Sequence, residues 1–195
     1  MPRQADPARR VEVIDAAIRH AADVGFAHLT LRGVADAMAQ STRVVTHHFS
    51  DKLDLISAML DRFHDREKHS LRSDAAWSDP EIPVSRIVEA AWNRTLSPSE
   101  LPYTKLIHEI EGLAAAGHTP TPIPGFLADR AAFVAECLQA RGTPREEAIA
   151  LATMLNAAYT GLQIDHLTTG DHARTKAGLA QLCSWIDRAV ATVTP

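Results

Sequence analysis

The sequence predicts an all-α protein, and three observations carry that prediction. Apolar residues recur at three- and four-residue spacing along nearly the whole chain, alternating β-branched runs bounded by turns do not occur, and alanine fills the faces between the apolar stripes. About nine helices are expected, separated by short clusters of Pro, Gly and Ser. Apolar content of 46% beside 23% charged residues is that of a soluble globular chain. A length of 195 residues suits one ordinary domain, or a small one joined to a mid-sized one.

The first helix opens on Asp6 as cap with Pro7 at its first position and carries an apolar stripe of Val11, Ile14, Ile18 and Ala21. Gly25 ends it. Thr30 caps the second, in which Leu31, Val34, Ala35 and Met38 share an inward face. A tight turn at Ala39-Gln40-Ser41 follows, and Ser41 caps a third helix that turns Val45 and Phe49 inward. Its opposite face is left with Thr42, Arg43, Thr46 and His47, all able to hydrogen-bond and none needed by the core. Two helices joined by a short turn, the second with an idle polar face, form a helix-turn-helix suited to the major groove.

Ser50 is expected to cap a long helix running to about Leu71, apolar over Leu55, Ile56, Met59, Leu60 and Phe63 and then polar, as a connector would be. The stretch 72–83, with two prolines and Trp77 as a loop anchor, marks a boundary. The expected organisation is therefore a DNA-binding domain over residues 1–52, a connecting helix over 50–71, and a helical body over 72–195. In that body, helices are expected at about 84–96, 101–116 and 124–142. Thr143-Pro144-Arg145-Glu146 then reads as a capping box opening a helix that stops at Gly170. Asp171 caps the last helix, with Leu179, Leu182, Ile186, Ala189 and Val193 as its stripe. Ala148, Ala152, Ala157, Ala158, Gly161 and Ala180 would let these two helices approach others closely.

Composition excludes more than it selects. The net charge of −4 does not advertise a nucleic-acid binder, although residues 1–52 carry +1 and the remainder −5. Cys137 and Cys183 are isolated, so buried thiols in a reducing compartment are expected, with no disulfide and no metal. The greasiest stretch, 148–164, is interrupted by Thr153, Asn156, Thr160 and Gln163. It falls short of the ~20 apolar residues a membrane span needs. No apolar segment of signal-peptide type follows the N-terminus, and a cytoplasmic location is expected. His108-Glu109 begins like a zinc-protease motif, but Gly112 stands where its second histidine belongs. No phosphate loop or nucleophile arrangement is present, so neither an enzyme nor a cofactor is expected.

From Arg9 to Leu55 the chain resembles the DNA-binding domain of TetR-family transcriptional regulators. The matching residues are Ile14, Ala17, Gly25-Phe26, Thr30-Leu31-Arg32, Val34-Ala35, Ser41, Val45, His48-Phe49 and Lys52-Leu53-Asp54-Leu55. Three positions depart from the family pattern: Ala39 stands at a turn glycine, Gln40 at an apolar position and Thr46 at a tyrosine. A left-handed Ala39 would cost about 1–2 kcal/mol. Within this resemblance, Thr42, Arg43, Thr46 and His47 are the candidates for base edges, Arg43 foremost through guanine O6 and N7. Thr30, Arg32, Ser41, His48 and Lys52 are the candidates for phosphate, and the family adds Arg32 as a further base contact.

The resemblance also implies the rest of the function: a cytoplasmic repressor that binds a palindromic operator on double-stranded DNA as a homodimer through its last two helices. A small-molecule effector in the body would release it by shifting the connecting helix. Candidate lining for the effector is Trp92, Leu96, Tyr103, Ile107, Phe126, Phe133, Met154 and Tyr159, with His108 and Asn156 as polar groups. For each of these, plain core packing is the competing role. Two other functions remain open on the sequence: a DNA-binding regulator without a small ligand, controlled by a protein partner, and a helical interaction module that has lost specific DNA binding through Ala39, Gln40 and Thr46.

Overall fold

The computed structural model describes residues 6–118 and 126–193. Among them are nine α-helices and no strand: α1 (Pro7–Val24), α2 (Leu31–Ala37), α3 (Thr42–Thr46), α4 (Lys52–Ser73), α5 (Val84–Thr95), α6 (Leu101–Ala115), α7 (Phe126–Ala140), α8 (Arg145–Thr169) and α9 (His172–Val193). Two single 3-10 turns, Phe26–His28 and Ala75–Trp77, join α1 to α2 and α4 to α5. No helix among the described residues is long and apolar enough to cross a membrane. The helices gather into two compact units. The head comprises the described residues of Met1–Arg66 and Ser97–Pro124, and the body those of Glu67–Leu96 and Gly125–Pro195.

In the head, α1 starts where Asp6 accepts the Ala8 N–H at 3.0 Å, and Thr30 opens α2 by accepting the Gly33 N–H at 2.9 Å. The shared core is built from Val13, Ile14, Ala17 and Ile18 of α1, Val34 and Ala35 of α2, Val45 and Phe49 around α3, and Leu55, Met59, Leu60 and Phe63 of α4. Val11 is not part of it. At 40% exposure it lies off the stripe, which Val13 and Ala17 complete instead.

Leu106 and Ile110 of α6 are buried in this same core. The division therefore differs from the one expected at residues 52 and 72, since α6 packs with the head. Apolar periodicity shows that a helix is buried on one face and says nothing about which partner covers it.

The caps differ from expectation in three places. Ser41 occupies the cap position of α3, but its hydroxyl makes no capping hydrogen bond; the Val44 N–H goes to the Ser41 carbonyl instead, at 2.9 Å. At α4 the cap is Asp51 rather than Ser50. Its carboxylate accepts the N–H groups of Leu53 and Asp54 at 2.8 and 2.9 Å, and Asp54 reaches back to the Ser50 N–H at 2.9 Å. An aspartate one residue on offers a charged acceptor and displaces the serine. At α8 the capping box does not form. Pro144 holds the cap position, and Thr143 is buried with its hydroxyl unpaired among the described residues.

The body core contains Trp77, Val84, Ile87, Val88 and Trp92 with Val134, Leu138, Leu151, Leu155, Leu179 and Ile186. Trp77 anchors its loop as expected, edge-on to Phe133 at 5.8 Å. Arg141 completes the anchoring by donating to the carbonyls of Ala76, Trp77 and Asp79 at 3.1, 2.9 and 2.7 Å. Cys137 and Cys183 are buried and unbridged, and burial pushes the Cys183 thiol up to about 11. Gly170 ends α8 in a left-handed conformation (φ 67°), and Asp171 accepts the Arg174 N–H at 3.0 Å to begin α9.

Ala39 is left-handed, with φ 52°, the sole non-glycine among the described residues with positive φ. The turn between α2 and α3 demands this conformation because the Gln40 N–H returns to the Ala35 carbonyl at 2.9 Å, closing α2. Burial of Val45 and Phe49, about 1.5–3 kcal/mol each, outweighs the strain. Ala39→Gly is expected to raise stability by about 1 kcal/mol, read as a higher urea midpoint at unchanged slope.

Candidate nucleic-acid interface and body site

A five-residue helix has no stability of its own, so α3 takes its placement from the two side chains it buries. Val45 is fully buried and Phe49 is 1% exposed. That anchoring fixes the helix's rotation and turns Thr42, Arg43, Thr46 and His47 to solvent together. Arg43 makes no ion pair among the described residues, leaving all its donors available. The Thr46 hydroxyl donates back to the Thr42 carbonyl at 3.2 Å, so its acceptor lone pairs and its methyl group are what it presents outward.

The expected phosphate-facing residues surround this helix. Ser41, Arg43, His47 and His48 line an open cleft of about 340 Å³ together with Arg9 and Val44. Thr30 is exposed, and Arg32 lies 3.8 Å from Asp36 across one helix turn. Lys52 is half-buried and its Nζ donates to the Ala27 carbonyl at 3.4 Å. Arg9 pairs with Glu12, and the Arg10 guanidinium stacks over the Phe49 ring at 4.8 Å, bracing the anchor from outside.

One head residue that holds this geometry has no signal in the sequence. The Glu109 carboxylate, on α6, accepts the N–H groups of Phe26 and Ala27 at 2.9 and 3.4 Å. It satisfies two donors of the 3-10 turn that sets α2 against α1. The contact spans more than eighty residues, which local spacing cannot foresee.

The candidate effector residues fall in both units. Tyr103, Ile107 and His108 belong to the head, where Tyr103 and Ile107 pack on the core. Trp92, Leu96, Phe133, Asn156 and Tyr159 belong to the body. Met154 does not line its interior; it is 56% exposed, because the buried face of α8 runs through Leu151, Ala152 and Leu155 and leaves position 154 to one side. The side chain of Phe126 lies outside the described residues.

Within the body, Trp92 meets Tyr159 edge-on at 5.8 Å, and the Tyr159 hydroxyl lies 3.1 Å from the Thr95 Oγ1. Gln163, 4% exposed, donates to that same oxygen at 2.7 Å. Burial pushes the Tyr159 phenol up to about 12, so it remains a hydrogen-bond donor at neutral pH. Asn156, one turn earlier on α8, carries a buried amide nitrogen with no partner among the described residues. Arg130 donates to the Thr160 Oγ1 at 3.1 Å and lies 3.6 Å from Glu67. Asn156, Tyr159, Thr160 and Gln163 thus form a polar seam at i, i+3, i+4 and i+7, in which Asn156 is the expected polar group and Tyr159 the expected lining residue.

The head defines a class: a helix-turn-helix protein with a solvent-facing reading helix. Comparison with known proteins is more specific. Residues 13–59 match the family described as "Bacterial regulatory proteins, tetR family". The "HTH-type transcriptional regulator BetI" of Burkholderia mallei (strain NCTC 10229) is 29% identical over 187 residues, covering 94% of each chain. The multidrug binding protein EbrR, solved in complex with imidazole, shares 29% identity with a TM-score of 0.66 over 93% of each chain. A TetR-family member from Streptomyces coelicolor A3 gives a TM-score of 0.70 at 27% identity, covering 93% of this chain and 99% of that one. Residues 13–59 thus match the tetR-family model, and over nearly its whole length the chain is similar to transcriptional regulators of that kind.

The pH behaviour of the cleft follows from its charges. Burial first, then the neighbouring His47, Arg10 and Arg9, hold the His48 imidazole below its ordinary value of 6.5. Histidine NMR titration should place the His48 midpoint below 6.5, and Arg10→Gln should move it upward by removing a positive neighbour.

Proposed function

We propose that the chain is a homodimeric repressor that binds a palindromic operator and leaves it when a small molecule occupies the effector site. The observation that carries this reading is the joint exposure of Thr42, Arg43, Thr46 and His47 on a helix whose other face is locked into the core. Those four read base edges, with Arg43 bidentate to guanine as the principal contact. Thr30, Arg32, Ser41, His48 and Lys52 hold the phosphates on either side.

Dimerisation through α8 and α9 is supported by what α8 leaves uncovered. Ala150, Met154, Ala157, Gly161, Ile164 and Thr168 are all exposed and alternate four and three residues apart, the spacing of a helix seam awaiting a partner. On α9, Ala173, Ala177, Ala180 and Ser184 continue the pattern with small side chains that permit close approach. Two heads joined in this way would meet half-sites one or more helical turns apart, roughly 34–36 Å per turn.

Small-molecule control is supported by the likeness to EbrR, whose structures hold imidazole, ethidium, malachite green and proflavin. To weaken operator binding a hundredfold, an effector must favour the non-binding form by about 2.7 kcal/mol.

Footprinting on DNA flanking the chain's own gene tests the reading. A palindromic footprint is expected, lost on Arg43→Ala combined with Lys52→Ala, with Arg43→Ala alone costing about 1–3 kcal/mol. Binding only at low salt and without sequence preference would refute it. Gly161→Arg tests the dimer separately. A side chain at Gly161 meets nothing within 4 Å, so the protomer should fold unchanged while light scattering reports a monomer.

A further inference from the structure

On α6, His108 and Glu111 stand one turn apart with side chains only 12% and 11% exposed, and the His108 Nδ1 lies 3.1 Å from the Glu111 Oε2. Each then has one polar atom left over. Neither the His108 Nε2 nor the Glu111 Oε1, both buried, has a hydrogen-bond partner among the described residues. Native proteins satisfy buried polar atoms almost without exception, and a carboxylate oxygen is among the costliest to leave unmet. Among the described residues the Glu111 carboxylate is paired with no lysine or arginine; its partner is the imidazole alone. Carboxylate Oε1 is an acceptor, and in the tautomer that donates Nδ1–H to Glu111 the Nε2 is an acceptor too. Two acceptors one helix turn apart, beside a carboxylate with no lysine or arginine partner among the described residues, are complementary to a cation with N–H groups.

The same helix is wired to the reading head. Between His108 and Glu111 lie Glu109, which holds the Phe26 and Ala27 amides, and Ile110, which is 1% exposed in the head core. Helical geometry makes any rotation or shift that seats a ligand on positions 108 and 111 displace position 109 as well.

We propose that His108 and Glu111 are the recognition point for a small organic cation bearing N–H donors, and that its occupancy reaches the head through Glu109. This rests on the chain being an effector-responsive regulator and supplies the chemistry of the effector. The body's polar seam lies in the other unit and is not invoked.

The test titrates the full-length protein, without DNA, with proflavin, a planar cation with aryl-amine donors, and with 1-anilinonaphthalene-8-sulfonate as an apolar anion. Proflavin is expected to give a saturable fluorescence change that Glu111→Gln weakens at least about tenfold, the scale of one charge-assisted hydrogen bond. The anion should show no such loss. Ligand-free thermal midpoints of Glu111→Gln and of the His108→Leu/Glu111→Leu pair should equal or exceed that of the parent, since an unfilled polar site opposes folding. Hydrogen exchange at the Phe26 and Ala27 amides should change with proflavin in the parent and not in Glu109→Gln, which should still bind within about twofold.

No saturable proflavin binding, equal affinity in Glu111→Gln, or lowered midpoints with binding unchanged would overturn the recognition point. Unaltered exchange in the parent would overturn the transmission. The operator footprint of the ligand-free protein depends on neither result, so failure here and failure of the repressor reading are separately visible.

Discussion

The burial of Val45 and Phe49 is the interaction on which the head depends. The helix they belong to spans barely more than one turn, and its cap serine makes no side-chain bond to help it. Nothing local would keep it helical, so its shape and orientation are borrowed from a core supplied by α1, α2, α4 and α6. The polar face is therefore rigid because the apolar face is, and a left-handed alanine is tolerated in the preceding turn because the closing contacts outweigh it. Braces on the outside, the Arg10 guanidinium on the Phe49 ring and the Asp15–Arg62 pair between α1 and α4 at 3.1 Å, add little energy at exposed positions. They do restrict how the core can loosen.

Placing α6 in the head changes how control of such a protein is to be understood. In the proposed mechanism the connecting helix would share its role as lever with a second helix, which donates Leu106 and Ile110 to the core and Glu109 to a turn. Arg66 of α4 also reaches across to Glu100 just before α6, at 2.7 Å, and lies over the Tyr103 ring at 4.0 Å. The head portion of α4 and the start of α6 are thereby joined within one unit.

Much of this was legible in the residues. Periodicity placed the nine helices of the described residues to within a few residues, because stripes such as Leu106, Ile110 and Leu113 repeat at the helical spacing whatever covers them. Asp6, Thr30, Gly25 and Gly170 marked true helix ends, since each acts on its own few neighbours. The outward face of α3 was legible for the same reason: two inward residues four apart fix the rotation of everything between them. What stayed hidden depended on distant partners or on competition between neighbours. Glu109 reaches a turn far away in sequence. Arg141 gathers carbonyls from a loop some sixty residues earlier, and Asp51 outcompetes the adjacent serine. Thr95 and Gln163 gain their meaning from meeting over Tyr159, and Met154 loses its expected role by a fraction of a helical turn.

The start of α4 has a bearing on acid tolerance. The backbone amides of Asp54 and Leu53, bonded to the Asp51 carboxyl, hold it below its ordinary 3.8. A carboxylate shifted downward by folding contributes its stabilisation above the unfolded value and gives it up only as pH drops through the lower, folded one. The joint between reading helix and connecting helix therefore keeps its charge throughout mild acidification. Acidification from neutral pH therefore leaves the start of α4 unaltered until it passes below the ordinary carboxylate range.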